Sequence, residues 1–145
     1  TWQTTLVDWI QTICADPSLP CPALVCQAEE VSLGLRFTDD ATITALNSTW
    51  RQRNQATDVL SFAALEEAPD LPDVSCVELG DIVISLDTAR RQASEHGHNL
   101  TRGLRWLVSH GLLHLLGWDH PDEESLAAML QLQEQLLDGG SNVRI

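Results

Sequence analysis

The chain has no lysine. All 8 of its basic residues are arginine, they stand against 21 Asp and Glu, and the formal net charge is −13. So acidic a surface has no long-range attraction for a phosphate backbone, which excludes a general nucleic-acid coating protein. Any nucleic acid it handles has to be met at a small arginine-lined site or at a metal. Long apolar runs are also missing. None approaches the roughly 20 residues of a membrane-spanning helix, so no membrane partner is expected. Residues 1–13 lack both the basic leader and the continuous apolar block of a secretory signal, and the expected location is cytoplasmic. Cys14, Cys21, Cys26 and Cys76 include no C-x-x-C pair. Paired structural-zinc thiolates are therefore not expected, and without a signal the four are read as reduced thiols.

What remains is a chain of 145 residues, 43% hydrophobic and 20% charged, which suits one soluble domain with a real core. Residues 1–145 are read as that single domain. Leu6, Trp9, Ile10 and Ile13 recur at helical spacing, and Pro17, Pro20 and Pro22 break the helix. Val31, Leu33, Leu35 and Phe37 alternate with smaller or polar residues as a half-buried strand. Asp39 or Asp40 caps a helix with Ile43, Leu46 and Trp50 on its apolar face, and a short strand follows at 59–62. Residues 65–78, rich in Asp, Glu and Pro, are read as an exposed acidic loop. Residues 79–85 are read as a central strand, with Asp81 fixing its end, and 87–96 as a polar helix. Thr101 is the expected cap of a long apolar helix ending near Gly117. Pro121 opens a last helix that Gly139 and Gly140 are expected to stop. The pattern is α+β: a single small β-sheet covered by helices, with the candidate site at the end of the long central helix.

The informative segment is His110-Gly111-Leu112-Leu113-His114-Leu115-Leu116-Gly117-Trp118-Asp119-His120. On a helix, His110 and His114 at i and i+4 stack on one face about 6 Å apart, close enough to share an ion. Gly117 allows the chain to reverse, and His120 can swing back as a third ligand. Three neutral imidazoles leave a tetrahedral zinc with an open position, the catalytic pattern. A lone histidine on an apolar helix commonly serves as a hydrogen-bonded core residue. Here, however, three of only five histidines fall within eleven residues at converging spacings. Burying all three in a leucine-rich helix without a joint purpose would cost polar desolvation three times. The spacing is also that of metzincin peptidases, but the glutamate base that follows their first histidine is Gly111 here.

The H-G-x-L-H-L-x-G-x-D-H run of residues 110–120 resembles the YbeY-type bacterial endoribonucleases. Two further blocks agree. Asn47-Ser48-Thr49-Trp50-Arg51, followed by Thr57-Asp58-Val59-Leu60-Ser61-Phe62, is similar to the family's N-x-x-[YW]-R…P-T-[DN]-V-L-S-F segment. Leu79-Gly80-Asp81-Ile82-Val83-Ile84 is similar to its L-G-D-[IL]-x-I segment. Ala56 stands where the family has proline, and Arg53 is the cation left in the preceding loop. The resemblance implies one zinc ion per chain on His110, His114 and His120, and a functional arginine at Arg51. It also implies a single-strand-specific endoribonuclease that acts in 16S rRNA maturation and ribosome quality control. Its partners would be rRNA and the ribosome or small-subunit proteins, with no DNA.

Zinc acidifies water and polarises a phosphoryl oxygen, and an arginine fork answers the charge that builds on phosphorus oxygens. Asp119 is read either as an acceptor for an imidazole N–H or as a helix cap. Asp58 and Ser61 are read as cleft-lining or as ordinary turn and strand residues. His96 and His98 are read as solvated. Arg90, Arg91, Arg102 and Arg105 are read as a basic strip for RNA or, alternatively, as salt-bridge partners of the many carboxylates. Two other functions stay open: a zinc hydrolase or peptidase with metzincin-like ligands, and a non-catalytic ribosome-associated factor.

Overall fold

The computed structural model describes residues 1–64, 76–118 and 122–142. Along the chain come α1 (Trp2–Ala15), α2 (Ala23–Gln27), β1 (Glu30–Thr38), α3 (Asp40–Arg51) and β2 (Val59–Ala63). They are followed by β3 (Cys76–Ser85), α4 (Leu86–Glu95), α5 (Leu100–Leu115) and α6 (Glu123–Asn142). The architecture is the expected α+β arrangement of one small sheet and covering helices. The strand order is β1-β3-β2, with β1 parallel and β2 antiparallel to β3. β3 is central because its residues Leu79, Ile82 and Ile84 are fully buried. A strand apolar enough to be covered on both faces belongs in the middle.

Helix α5 lies against β2 and β3, burying Val108, Leu112, Leu113 and Leu115 in the main core. Gly111 makes the approach close enough. A Cβ built there would stand 2.8 Å from Cγ2 of Ile82 and 3.2 Å from its Cδ1 and Cγ1. At the far end of α5, Gly117 takes φ +96, and its N–H reaches the carbonyl of His114 at 3.1 Å. That left-handed residue turns the chain away from the helix, as the sequence suggested.

Several local expectations change. Asn99, not Thr101, caps α5: its side chain accepts from the Arg102 N–H at 2.8 Å. The pair Gly139 and Gly140 does not stop α6, because both adopt helical backbone and the helix runs on to Asn142. Trp50 leaves the apolar face and is 64% exposed, set edge-on to Phe62 beside edge strand β2 with ring centroids 6.3 Å apart. Residues 76–78 belong to β3, while residues 65–75 of the expected acidic loop lie outside the described residues. Asp81 sits inside β3, opposite Phe62 and Gly34, not at its end. The thiols are not all reduced. The proline-containing turn after α1 brings Cys14 and Cys26 to a Cα separation of 5.5 Å, and they form a disulfide. Cys21 and Cys76 remain thiols. Among the described residues, no helix is long and apolar enough to cross a membrane.

Asp39 caps α3 by accepting from the Thr42 N–H at 2.8 Å, which leaves Asp40 for tertiary work. The Asp40 carboxylate accepts from Ser85 Oγ at 2.6 Å, Thr88 Oγ1 at 2.7 Å and Arg91 Nη1 at 2.9 Å, tying α3 to the start of α4. The two hydroxyl donors, with Arg91 adding to them, hold its pKa at about 2 against the ordinary 3.8. A carboxyl whose pKa is lower folded than unfolded stabilises fully above its unfolded value and loses that contribution as pH falls through its folded one. Asp40 therefore contributes above about pH 4, and the contribution fades between pH 4 and 2. Asp40→Asn is expected to lower the midpoint of urea unfolding at pH 7 and to flatten its fall over that acid window. An unchanged acid limb in the variant would contradict this assignment.

Candidate metal centre and its cleft

The histidine pair is built by α5 alone. Leu112, Leu113 and Leu115 face the core, so His110 and His114 come to the opposite edge of the buried stripe, where both are half-buried. Their Nε2 atoms are 3.0 Å apart and their ring centroids 4.5 Å apart, with the planes inclined by 75°. Two nitrogens each about 2.0–2.1 Å from a common ion can be no more than about 4.2 Å apart. The observed separation satisfies that limit, and the donor set is that of borderline-soft divalent ions. His120 and Asp119 lie outside the described residues.

Both imidazoles line a cleft of about 670 Å³. Its other wall comes from the end of α3, the segment leading into β2 and β2 itself, including Asn47, Arg51, Arg53 and Ser61. Asn47 is nearly fully buried, donates from Nδ2 to the Gln55 carbonyl at 2.9 Å, and accepts the Arg53 N–H on its backbone carbonyl at 3.2 Å. With Gln52 in a left-handed conformation (φ 59), these bonds fold the segment carrying Arg53 back along the cleft. Asn47 was visible in the sequence only as part of a motif, and its anchoring role emerges from the tertiary contacts. Arg51 donates from Nη2 to the Ser61 carbonyl at 2.6 Å, and its guanidinium lies 5.5 Å from the Phe62 ring centroid. Among the described residues, no carboxylate pairs with Arg51 or Arg53.

The remaining candidates divide. Ser61 lines the cleft, and its hydroxyl reaches the Gly111 carbonyl at 3.5 Å. Asp58 is a turn residue: its carboxylate accepts from the Val59 N–H at 2.8 Å and from Gln92 Nε2 at 3.2 Å. Arg91 is paired with Asp40, and Arg90 stands 3.9 Å from Asp87. Arg105 lies over the Trp9 ring and donates to the Leu137 carbonyl at 3.4 Å. None of these three lines the histidine cleft, so the salt-bridge reading describes Arg90 and Arg91. His96 and His98 are exposed and stack at 6.1 Å between ring centroids. They also border a second cavity of about 570 Å³ that shares His110 with the first. A glutamate general base after the first histidine has no room, because position 111 presses on Ile82.

The sequence model of a family described as Endoribonuclease YbeY matches residues 4–140. Over 145 residues the chain is 97% identical to a protein of Parasynechococcus marenigrum (strain WH8102) named Endoribonuclease YbeY, covering 100% of this chain and 78% of that protein. A protein of the same name from Synechococcus sp. (strain CC9605) is 67% identical over 139 residues, covering 96% of this chain and 84% of the relative. The solution structure of a Thermotoga maritima protein superposes with a TM-score of 0.56 at 21% identity, over 98% of this chain and 82% of that one. That last likeness concerns the fold.

Proposed function

The chain belongs to the Endoribonuclease YbeY family, and from that premise we propose that residues 1–145 act as one hydrolase domain that cleaves single-stranded RNA. It is a metal-dependent nuclease, and the ion we assign is one zinc per chain, held by His110, His114 and His120. Its substrate is rRNA, in maturation of the 16S species and in ribosome quality control, and its place of work is the cytoplasm at the ribosome. The observation that carries this reading is the convergence of the His110 and His114 Nε2 atoms at 3.0 Å within a cleft that also presents Arg51 and Arg53.

When bound there, a divalent ion supplies Lewis-acid polarisation of a phosphoryl oxygen and acidifies water. The rest of the work belongs to the chain. Cleaving a phosphodiester builds negative charge on non-bridging oxygens, and Arg51 answers it from a preset position. One of its five N–H donors is spent on the Ser61 carbonyl, which fixes the guanidinium plane; the others serve phosphate oxygens. Arg53, folded back by Asn47, adds a second cation on the same wall. In so acidic a chain, these two arginines supply the local attraction that the overall surface denies.

With metal-loaded protein and rRNA fragments, Arg51→Ala is expected to lower kcat by about 10²–10³-fold, as removal of one preorganised charge-stabilising donor does. Far-ultraviolet circular dichroism should be unchanged. Cleavage of casein with the rRNA left intact would overturn the nuclease reading. A metal-free protein that stays folded and binds ribosomes as well as the loaded one would point to the non-catalytic factor.

A further inference from the structure

Away from the histidine cleft, three cysteines from three separate segments converge. Cys14 lies in the last turn of α1, Cys21 in the turn that follows, and Cys26 in α2. Their sulfurs all lie within 4.8 Å of one another. Cys14 and Cys26 are bonded, and the Cys21 Sγ stands 4.0 Å from the Cys14 Sγ and 3.5 Å from the Cys26 Sγ. A disulfide needs two cysteines. The fold brings a third to the same point, although Leu19 and Pro20 could have set any other residue there. Pro20 itself is held in place, since its carbonyl accepts from the Trp118 indole N–H at 2.9 Å.

Three sulfurs at one point form a ligand set. Thiolates select soft or borderline cations such as zinc and copper(I). Two thiolates each about 2.3 Å from one ion are at most about 4.6 Å apart, and both Cys21 separations fall inside that limit. Cys26 is exposed while Cys14 and Cys21 are half-buried, so an ion has a way in. Burial pushes the Cys21 thiol above its ordinary pKa, and a coordinated cation acts the other way by stabilising the thiolate.

We propose that, once the Cys14–Cys26 bridge is reduced, Cys14, Cys21 and Cys26 bind one soft cation through three thiolates. The chemistry balances. A dithiol gives two electrons and two protons to the bridge and becomes a disulfide itself, leaving two thiols. The entering ion then displaces three thiol protons as three metal–sulfur bonds form. The bridged form is the oxidised, ion-free state of the same site. Cys76, exposed on β3, takes no part.

Cadmium(II) is the probe, because thiolate ligation gives it an ultraviolet charge-transfer band that imidazole ligation does not. The full chain is reduced with a phosphine, desalted without oxygen and titrated with cadmium(II). The band is expected to saturate at about one thiolate-bound ion per chain, in wild type and in Cys76→Ser alike, and three thiols should become protected from a disulfide reagent. The band should be missing from the oxidised protein and lost in Cys21→Ser, with Cys26→Ser at an exposed position reporting the same loss independently. Back-titration with zinc(II) and with copper(I) then distinguishes the two ions by which displaces the band. A reduced wild type without a saturating band, or a band indifferent to both Cys21→Ser and Cys26→Ser, would overturn the proposal.

Discussion

His114→Ala is expected to strip the metal and to lower cleavage of rRNA fragments by at least about 10³-fold while the fold survives. A metal ion contributes several kcal/mol of transition-state charge stabilisation, and about 4 kcal/mol corresponds to about 10³ in rate. The ligand set loses one of the two imidazoles whose nitrogens meet at 3.0 Å. The helix loses little, because alanine is the best helix former. Its anchoring falls to Leu112, Leu113 and Leu115, all buried on the opposite side. Elemental analysis of the purified variant should show the ion gone, and the thermal midpoint should fall by at least the ion's own contribution to stability. A variant that retains stoichiometric metal and full cleavage would remove the proposed centre from α5.

The second large effect concerns a residue with no functional group. Gly111→Glu places a carboxylate where the peptidase-type base would stand, and it is expected to prevent folding instead of creating a peptidase. The built Cβ already lies 2.8 Å from Ile82 Cγ2, so any side chain forces α5 off β3, and an unpaired charge there adds a desolvation cost of several kcal/mol. Gly111→Ala isolates the steric part. Overpacking of this kind costs typically about 1–3 kcal/mol, and at this chain length each kcal/mol lowers Tm by roughly 2–4 °C. Because α5 carries both histidines, the alanine variant should also weaken metal binding, read by competition with a chelator. A Tm equal to that of the wild type would mean that the helix does not need the glycine to reach the strand.

Residues of one motif differ in how plainly they speak in sequence. His110 and His114 are legible because i and i+4 coincide on any α-helix, whatever surrounds it. Gly111 between them reads only as a missing base, and its reason appears when Ile82, 29 positions earlier, is found against it. Arg51 stood out through a resemblance. What holds it is the Ser61 carbonyl on a neighbouring strand. Asp39 and Asp40 look alike as caps, yet one caps α3 and the other binds Ser85 at the end of the neighbouring strand and Thr88 and Arg91 on α4. Trp50 fits the apolar spacing of α3 and is nonetheless exposed, because β2, the strand beside it, is the edge of the sheet.

By itself the amino-acid order determined the kinds and succession of the main elements, the i,i+4 histidine pair and the acidic character of the surface. Each of these depends on neighbours within a turn or two, or on simple counting. Only the tertiary structure decided that β3 lies between β1 and β2, that Asn47 anchors the segment by which Arg53 borders the histidine cleft, and that three cysteines share one point. Those relations join residues whose separation along the chain carries no record of their separation in space. They are set by which apolar faces can be buried together, a property of the whole packing and of no single segment.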